Sequence, residues 1–308
     1  MRCTPVAAIA LPLPLLAIAL AACGDGGTVS ASGDRPHVVV TTNVLGDVVT
    51  DLVGDEGAVE VIMPPGSGPH EFQASPRQVA AMRDADALIT NGAGFEEGLT
   101  EAIEAAVQDG VPTFAAIDAV DTMQLDGDGS TDPHFFTDPA RMATAAQGIA
   151  DFLVDKVPAL DTPAFADQAG ATIDELHALD GEVERTLSAV PPDRRTLVTN
   201  HEVFGYFADR YGFEVVGAVI PAGTTQAEPN AAQLDELAHT IEEQDVPAIF
   251  VETSSPTRLA DALADEVGDV DVVELFSESL GDEGSGGETY GDMMRTNAGR
   301  IADALARH

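Results

Sequence analysis

Four side chains in this sequence have the types and the placement to hold a divalent metal ion. His70 lies in Pro69-His70-Glu71-Phe72, His134 in Asp132-Pro133-His134-Phe135-Phe136, His201 in Asn200-His201-Glu202-Val203 and Glu278 in Phe276-Ser277-Glu278-Ser279-Leu280. A neutral imidazole offers a nitrogen lone pair and a carboxylate offers a hard oxygen. Three of the first with one of the second suit tetrahedral zinc, with bonds of about 2.0–2.2 Å. Manganese, a harder ion, favours more carboxylate. A single loop histidine reads as a surface or hydrogen-bonding group. The set points to a site because each member follows a predicted strand and two come from each half of the chain. His37, His177, His239 and His308 lack that placement and receive no metal role.

The elements that must position these residues alternate along the chain. Short apolar runs at Val38–Val40, Val59–Met63, Ala87–Thr90 and Thr113–Ile117 fill the first half, and Thr196–Thr199, Glu214–Val219, Ala248–Val251 and Val270–Leu275 fill the second. Helical stretches such as Ala231–Glu243 and Thr257–Val267 separate them. That rhythm predicts α/β architecture with parallel sheets and right-handed crossovers. Ligands of such sheets gather at loops leaving the carboxyl ends of strands, where the four candidates fall.

Between the halves, Thr162-Pro163 supplies a cap and a first-turn proline, and Phe165, Ala169, Ile173, Leu176, Leu179, Val183, Leu187 and Val190 recur at helical spacing up to Pro191-Pro192. One long helix joining two Rossmann-like lobes is the expectation, with the N-terminal lobe at 37–157, the linker helix at 158–192 and the C-terminal lobe at 193–308. Such a connector restrains wide hinge motion, leaving release to small loop movements.

The amino terminus reads as a signal peptide over residues 1–22. One charge, Arg2, precedes an apolar run broken by Pro12 and Pro14 and ending Leu20-Ala21-Ala22-Cys23, a lipobox. Cys23 is then the lipidated first residue of the mature chain, and residues 23–36 form a flexible tether. Cys3 departs with the leader and lipid consumes Cys23, so a metal site must be built from His, Asp and Glu. With 53 acidic against 14 basic residues and a formal charge of −39, the chain repels phosphate backbones, which excludes nucleic acid.

Together these motifs resemble the metal-binding lipoproteins of zinc and manganese importers. The resemblance is carried by Pro69-His70-Glu71-Phe72-Gln73-Ala74-Ser75-Pro76, by Asp132-Pro133-His134-Phe135-Phe136-Thr137-Asp138-Pro139, by His201-Glu202-Val203-Phe204-Gly205-Tyr206-Phe207, and by Glu278-Ser279-Leu280 with Thr289-Tyr290 and Met293-Met294. It extends from about residue 37 to 308 and includes the Asn91-Gly92-Ala93-Gly94-Phe95-Glu96 loop. It implies an exported, lipid-anchored, monomeric binding protein, in the periplasm or at the cell surface, that delivers metal to the permease of an ATP-driven importer. Carried over residue by residue, it makes His70, His134, His201 and Glu278 the ligands. Glu278 stands where the family usually has aspartate, and Asp118–Asp132 is acidic where many zinc members carry histidines. His201, where manganese members tend to have glutamate, favours zinc, with manganese next and iron third.

Two other classes compete. A secreted zinc hydrolase would use Glu71 or Glu202 as a base, but no His-Glu-x-x-His pair exists and Gly205 occupies the place of its second histidine. Four protein ligands also leave no open position for a substrate. The Gly92-Ala93-Gly94-Phe95-Glu96-Glu97-Gly98 stretch fails as a dinucleotide loop, because its third glycine is one residue late and its acidic residues would face a pyrophosphate. An adhesin or scaffold with a structural metal is the third class. The binding-protein reading predicts no enzyme activity, and metal capture that weakens as pH falls through about 6.5.

Overall fold

The computed structural model describes residues 35–125 and 129–306. The leader, Cys23 and the tether as far as Asp34 lie outside the described residues, as do Asp126-Gly127-Asp128 of the acidic loop and His308; Pro36, expected in the tether, is instead buried and accepts from the Ala58 amide at 2.7 Å.

Two parallel four-stranded sheets organise the chain. The first contains β1 (His37–Val40), β2 (Ala58–Val61), β3 (Ala87–Thr90) and β4 (Thr113–Ala115), in the order β2-β1-β3-β4. The second contains β5 (Thr196–His201), β6 (Glu214–Ile220), β7 (Ala248–Glu252) and β8 (Asp271–Leu275), in the equivalent order β6-β5-β7-β8. Val38, Val39 and Val40 of β1 and all five residues of β7 are buried, as strands covered on both faces must be. This is the two-lobe α/β architecture expected from the alternating pattern. In each sheet the first strand in sequence lies inside the sheet, and the chain leaves it at the point where strand order reverses. That point is where a doubly wound sheet opens a crevice at its carboxyl edge.

Helices α1 (Asn43–Val53), α2 (Pro76–Arg83), α3 (Thr100–Gln108) and α4 (Pro139–Lys156) belong to the first half, and α6 (Gly205–Tyr211), α7 (Ala231–Glu243), α8 (Arg258–Val267) and α9 (Tyr290–Ala306) to the second. Helix α5 (Pro163–Leu187) runs between them, capped by Thr162, whose hydroxyl accepts from the Phe165 amide at 3.0 Å. Phe165, Ala169, Leu176, Leu179, Val183 and Leu187 form its buried face, packed in one apolar cluster with residues of α1, α4 and α9.

The apolar period continues to Val190, but α5 stops at Leu187 because Ser188–Val190 turn toward Pro191-Pro192. Arg195 closes that turn. Its guanidinium donates to the carbonyl oxygens of Leu187, Val190 and Tyr211 at 3.4, 3.2 and 2.8 Å, supplying donors that a helix end lacks. Residues 158–160 form a separate 3-10 turn before the helix.

Three tyrosine hydroxyls tie the second half to its surroundings. Tyr206 of α6 donates to the Asp132 carbonyl at 2.8 Å and accepts from the Met123 amide at 2.9 Å. Tyr290 of α9 donates to the Phe136 carbonyl at 2.8 Å, and Tyr211 donates to Asp180 of α5 at 3.0 Å. Among the described residues no helix is long and apolar enough to cross a membrane.

Candidate metal centre

Each candidate reaches the crevice from a carboxyl end of a sheet. The loop 64–70 leaves the β2 edge through Gly66, whose φ of +77° a side chain would strain, and ends at His70. His134 sits one turn before α4, whose N-cap Asp138 accepts from the Ala140 and Arg141 amides at 2.9 and 3.3 Å. Glu278 leaves β8, and its neighbour Phe276 is held by Asn297 of α9, which accepts from the Phe276 amide and donates to its carbonyl at 3.0 and 2.5 Å. His201 departs from the sequence expectation. It does not follow β5 on a loop but ends the strand, because β6 continues alongside and pairs Ile220 with it.

The four side chains converge. His134 and His201 are fully buried, and His70 and Glu278 are each 2% exposed. One nitrogen from each ring and one carboxylate oxygen all lie within 4.8 Å of one another. Glu278 Oε1 is 2.9 Å from His70 Nε2 and 3.1 Å from both His134 Nε2 and His201 Nε2. Tetrahedral bonds of about 2.0–2.1 Å would put donor atoms about 3.3 Å apart, a few tenths of an ångström more than these carboxylate–nitrogen separations. Glu278 Oε2 is buried with no hydrogen-bond partner among the described residues.

Carboxylates stand behind the rings. Asp132 Oδ1 lies 2.7 Å from His134 Nδ1, Glu97 Oε1 lies 3.1 Å from His70 Nδ1, and Glu252 Oε1 lies 3.5 Å from His201 Nδ1. The last is too long for a good hydrogen bond, yet close enough for its charge to act. Glu252 is itself held by Asn200 and Ser255 at 2.8 and 2.9 Å. A carboxylate on Nδ1 keeps a proton there and leaves Nε2 to face the centre.

Burial alone would lower the histidine pKa values and raise that of Glu278, but the charges and hydrogen bonds prevail. Burial opposes the imidazolium of His201, while Glu278 and Glu252 carry its pKa to about 10. His134 also moves upward, against burial, through Asp132 and Glu278. Glu278 is held well below the usual carboxylate range: burial would raise it, but the His201 charge and hydrogen bonds from the rings outweigh that. A cation bound by these rings would have protons to displace.

The walls are aromatic. Phe95 meets the His70 and His134 rings edge-on, with centroids 5.4 and 5.6 Å away, and Phe136 packs beside it at 5.3 Å. The Asn91–Glu96 loop places Phe95 there. Its Gly92 has φ +91° and an added Cβ would strike Ile117 and Ala115, while buried Glu96 accepts from the Asn91 and Gly92 amides at 2.6 and 3.2 Å. A cavity of about 400 Å³ opens beside His70, with Gly94 and Glu97 on one side and Pro221–Thr224 on the other.

Sequence reasoning missed the residues behind the rings. Asp132 was visible two positions before His134, and Glu252 as a charge ending the apolar run Ala248–Val251. Glu97 carried no comparable signal.

Comparisons with known proteins agree with this geometry. Residues 38–304 match the family described as the periplasmic component A of the zinc-uptake complex. The manganese-binding lipoprotein MntA of Halalkalibacterium halodurans is 31% identical over 297 residues, covering 95% of this chain and 96% of that one. The manganese transporter substrate-binding lipoprotein PsaA of Streptococcus anginosus is 29% identical over 305 residues, covering 96% and 98%. Among solved structures, the periplasmic zinc-binding protein TroA of Treponema pallidum superposes with a TM-score of 0.81 at 31% identity, covering 89% of this chain and all of its own. The chain therefore belongs to the zinc-uptake component A family, with the two-lobe fold of TroA.

Proposed function

We propose that this protein is the extracytoplasmic, lipid-anchored binding component of an ATP-driven metal importer. In this reading His70, His134, His201 and Glu278 capture a divalent transition metal as substrate, and a membrane permease receives it. The observation that carries the reading is the convergence of three imidazole nitrogens and one carboxylate oxygen, all buried, at one point. Lobes held by α5 favour release through loop movement, a single chain is the functional unit, and Cys23 carries the lipid. The family's role in solute binding, and a centre with four protein donors, argue against a catalytic zinc.

Zinc is the preferred ion. Three nitrogen donors match its borderline softness, and the carboxylate oxygen lies within a few tenths of an ångström of tetrahedral spacing from each of them. Manganese is the second reading, favoured by a different observation. The unpartnered Oε2 of Glu278 can turn inward as a fifth donor, which a hard ion of higher coordination number accepts. The manganese-binding lipoproteins named above as relatives support it as well.

Equilibrium competition between zinc and manganese on the metal-free protein, read by elemental analysis, separates the two. His134→Ala should lower zinc affinity at least about 100-fold with an unchanged circular dichroism spectrum. Wild-type affinity in that variant, or no stoichiometric binding of either ion to the unsubstituted chain, would sink the proposal. Unfolding on metal removal would instead favour the scaffold.

A further inference from the structure

The side chain of Glu278 has no anchor of its own beyond the three rings it faces: Oε1 meets the imidazoles and Oε2 has no partner. Its position is thus set by the backbone on either side. On the strand side, Asn297 grips Phe276 from within the same lobe. On the far side the grip comes from the opposite lobe. Asn43, the first residue of α1, accepts from the Leu280 amide at 2.7 Å and donates to Ser279 Oγ at 3.0 Å. The same side chain donates to the Pro64 carbonyl at 3.0 Å, at the start of the loop that carries His70. Ser279 Oγ also accepts from the Gly66 amide at 2.8 Å, and that amide lies 3.1 Å from the Leu280 carbonyl. Asn43 is 5% exposed and Ser279 2%, so these bonds form away from water, where a broken one leaves a stranded polar group.

Placement in the fold gives this contact its meaning. Asn43 stands where the chain leaves β1, the strand that occupies the same place in the first sheet as β5 in the second. In the second sheet that exit supplies His201 itself. In the first it supplies an amide that donates and accepts at once, which neither a carboxylate nor an apolar residue can do.

We infer that Asn43 is a positioning residue for Glu278, clamping the Ser279–Leu280 backbone from the opposite lobe so that the carboxylate meets an ion only while that loop is docked on α1. The inference rests on the reading of the site as a metal centre. A loop movement that lifts Ser279–Leu280 off α1 breaks the Asn43 bonds and frees the Glu278 loop at its far end. Opening and loss of the carboxylate ligand become one event, and the lifetime of the bound ion depends on an amide that never touches it.

The test uses zinc or cobalt alone on the full chain. Asn43→Ala should release zinc to a chelator about tenfold faster or more than the unsubstituted protein. Its cobalt visible spectrum should move toward that of Glu278→Ala. In a Glu278→Ala background the same substitution should change release by less than about twofold, because its target is gone. Equal acceleration in both backgrounds, or none in either, overturns the inference. Should Asn43→Ala fail to fold, Ser279→Ala removes the shared acceptor without touching α1 and is read by the same two outcomes. Failure of the functional reading looks different: the unsubstituted protein would then bind neither ion stoichiometrically, and both conclusions fall together.

Discussion

In the proposed function, a proton and a metal ion would compete for one lone pair at His201 Nε2. Without metal, Glu278 and Glu252 raise the imidazolium pKa from 6.5 to about 10. A raised histidine pKa contributes stability that is complete below about 6.5 and is lost as pH rises through about 10. The depressed Glu278 contributes stability present above about 4.5 and lost as pH falls through its lower folded value. The metal-free protein should therefore lose melting temperature between pH 6.5 and 10. Zinc affinity should climb over the same interval, by up to about tenfold per pH unit for each proton displaced. The sequence alone placed this dependence near the ordinary histidine value, because the two carboxylates that act on His201 are remote in the chain, Glu278 lying 77 residues away. Glu252→Gln should weaken zinc binding about 10- to 100-fold and shift the pH midpoint downward. A flat affinity from pH 6.5 to 9 in buffered zinc titrations would contradict the exchange.

At the scale of elements, α1 meets α9 at Asp47, which accepts from the Tyr290 amide at 2.7 Å. Burial first, and then the charges of Asp51 and Asp292, raise the Asp47 pKa to about 6 despite that hydrogen bond. Glu175 of α5 and Arg295 of α9 line the same small cavity. A raised carboxyl pKa means that stability from this group is complete below about 3.8 and is lost as pH rises through about 6. Asp47→Asn keeps an acceptor for Tyr290 and removes a poorly solvated charge. It should raise the melting temperature at pH 7.5 by about 2–4 °C and leave it unchanged at pH 4. Equal effects at both pH values would assign the gain to packing. The eight strands were legible because buried parallel strands read as short apolar runs between helical patterns. The helix ends were less so: the period through Val190 could not show that Arg195 caps the turn after Leu187. Nor could an asparagine at the start of α1, an ordinary helix-start residue, show that it reaches Ser279, 236 positions away.

Across the whole molecule, the three histidines and Glu278 were legible as a set because their strands all point their carboxyl ends at one crevice. What the linear order concealed was how tightly the rest of the chain closes over them. Zinc in excess should stabilise the fold by mass action, by about 2.7 kcal/mol at a free concentration 100 times the dissociation constant, and His134→Ala should lose most of that gain. Scanning calorimetry with and without the ion checks this. The chain has no tryptophan and only three tyrosines, and each phenol reaches out of its own helix, Tyr206 and Tyr290 across to the first half and Tyr211 to α5. Tyrosine emission therefore comes entirely from rings stationed at the seams. The protein carries its own optical gauge, so that stopped-flow mixing with a chelator can time any movement at these contacts without an attached dye.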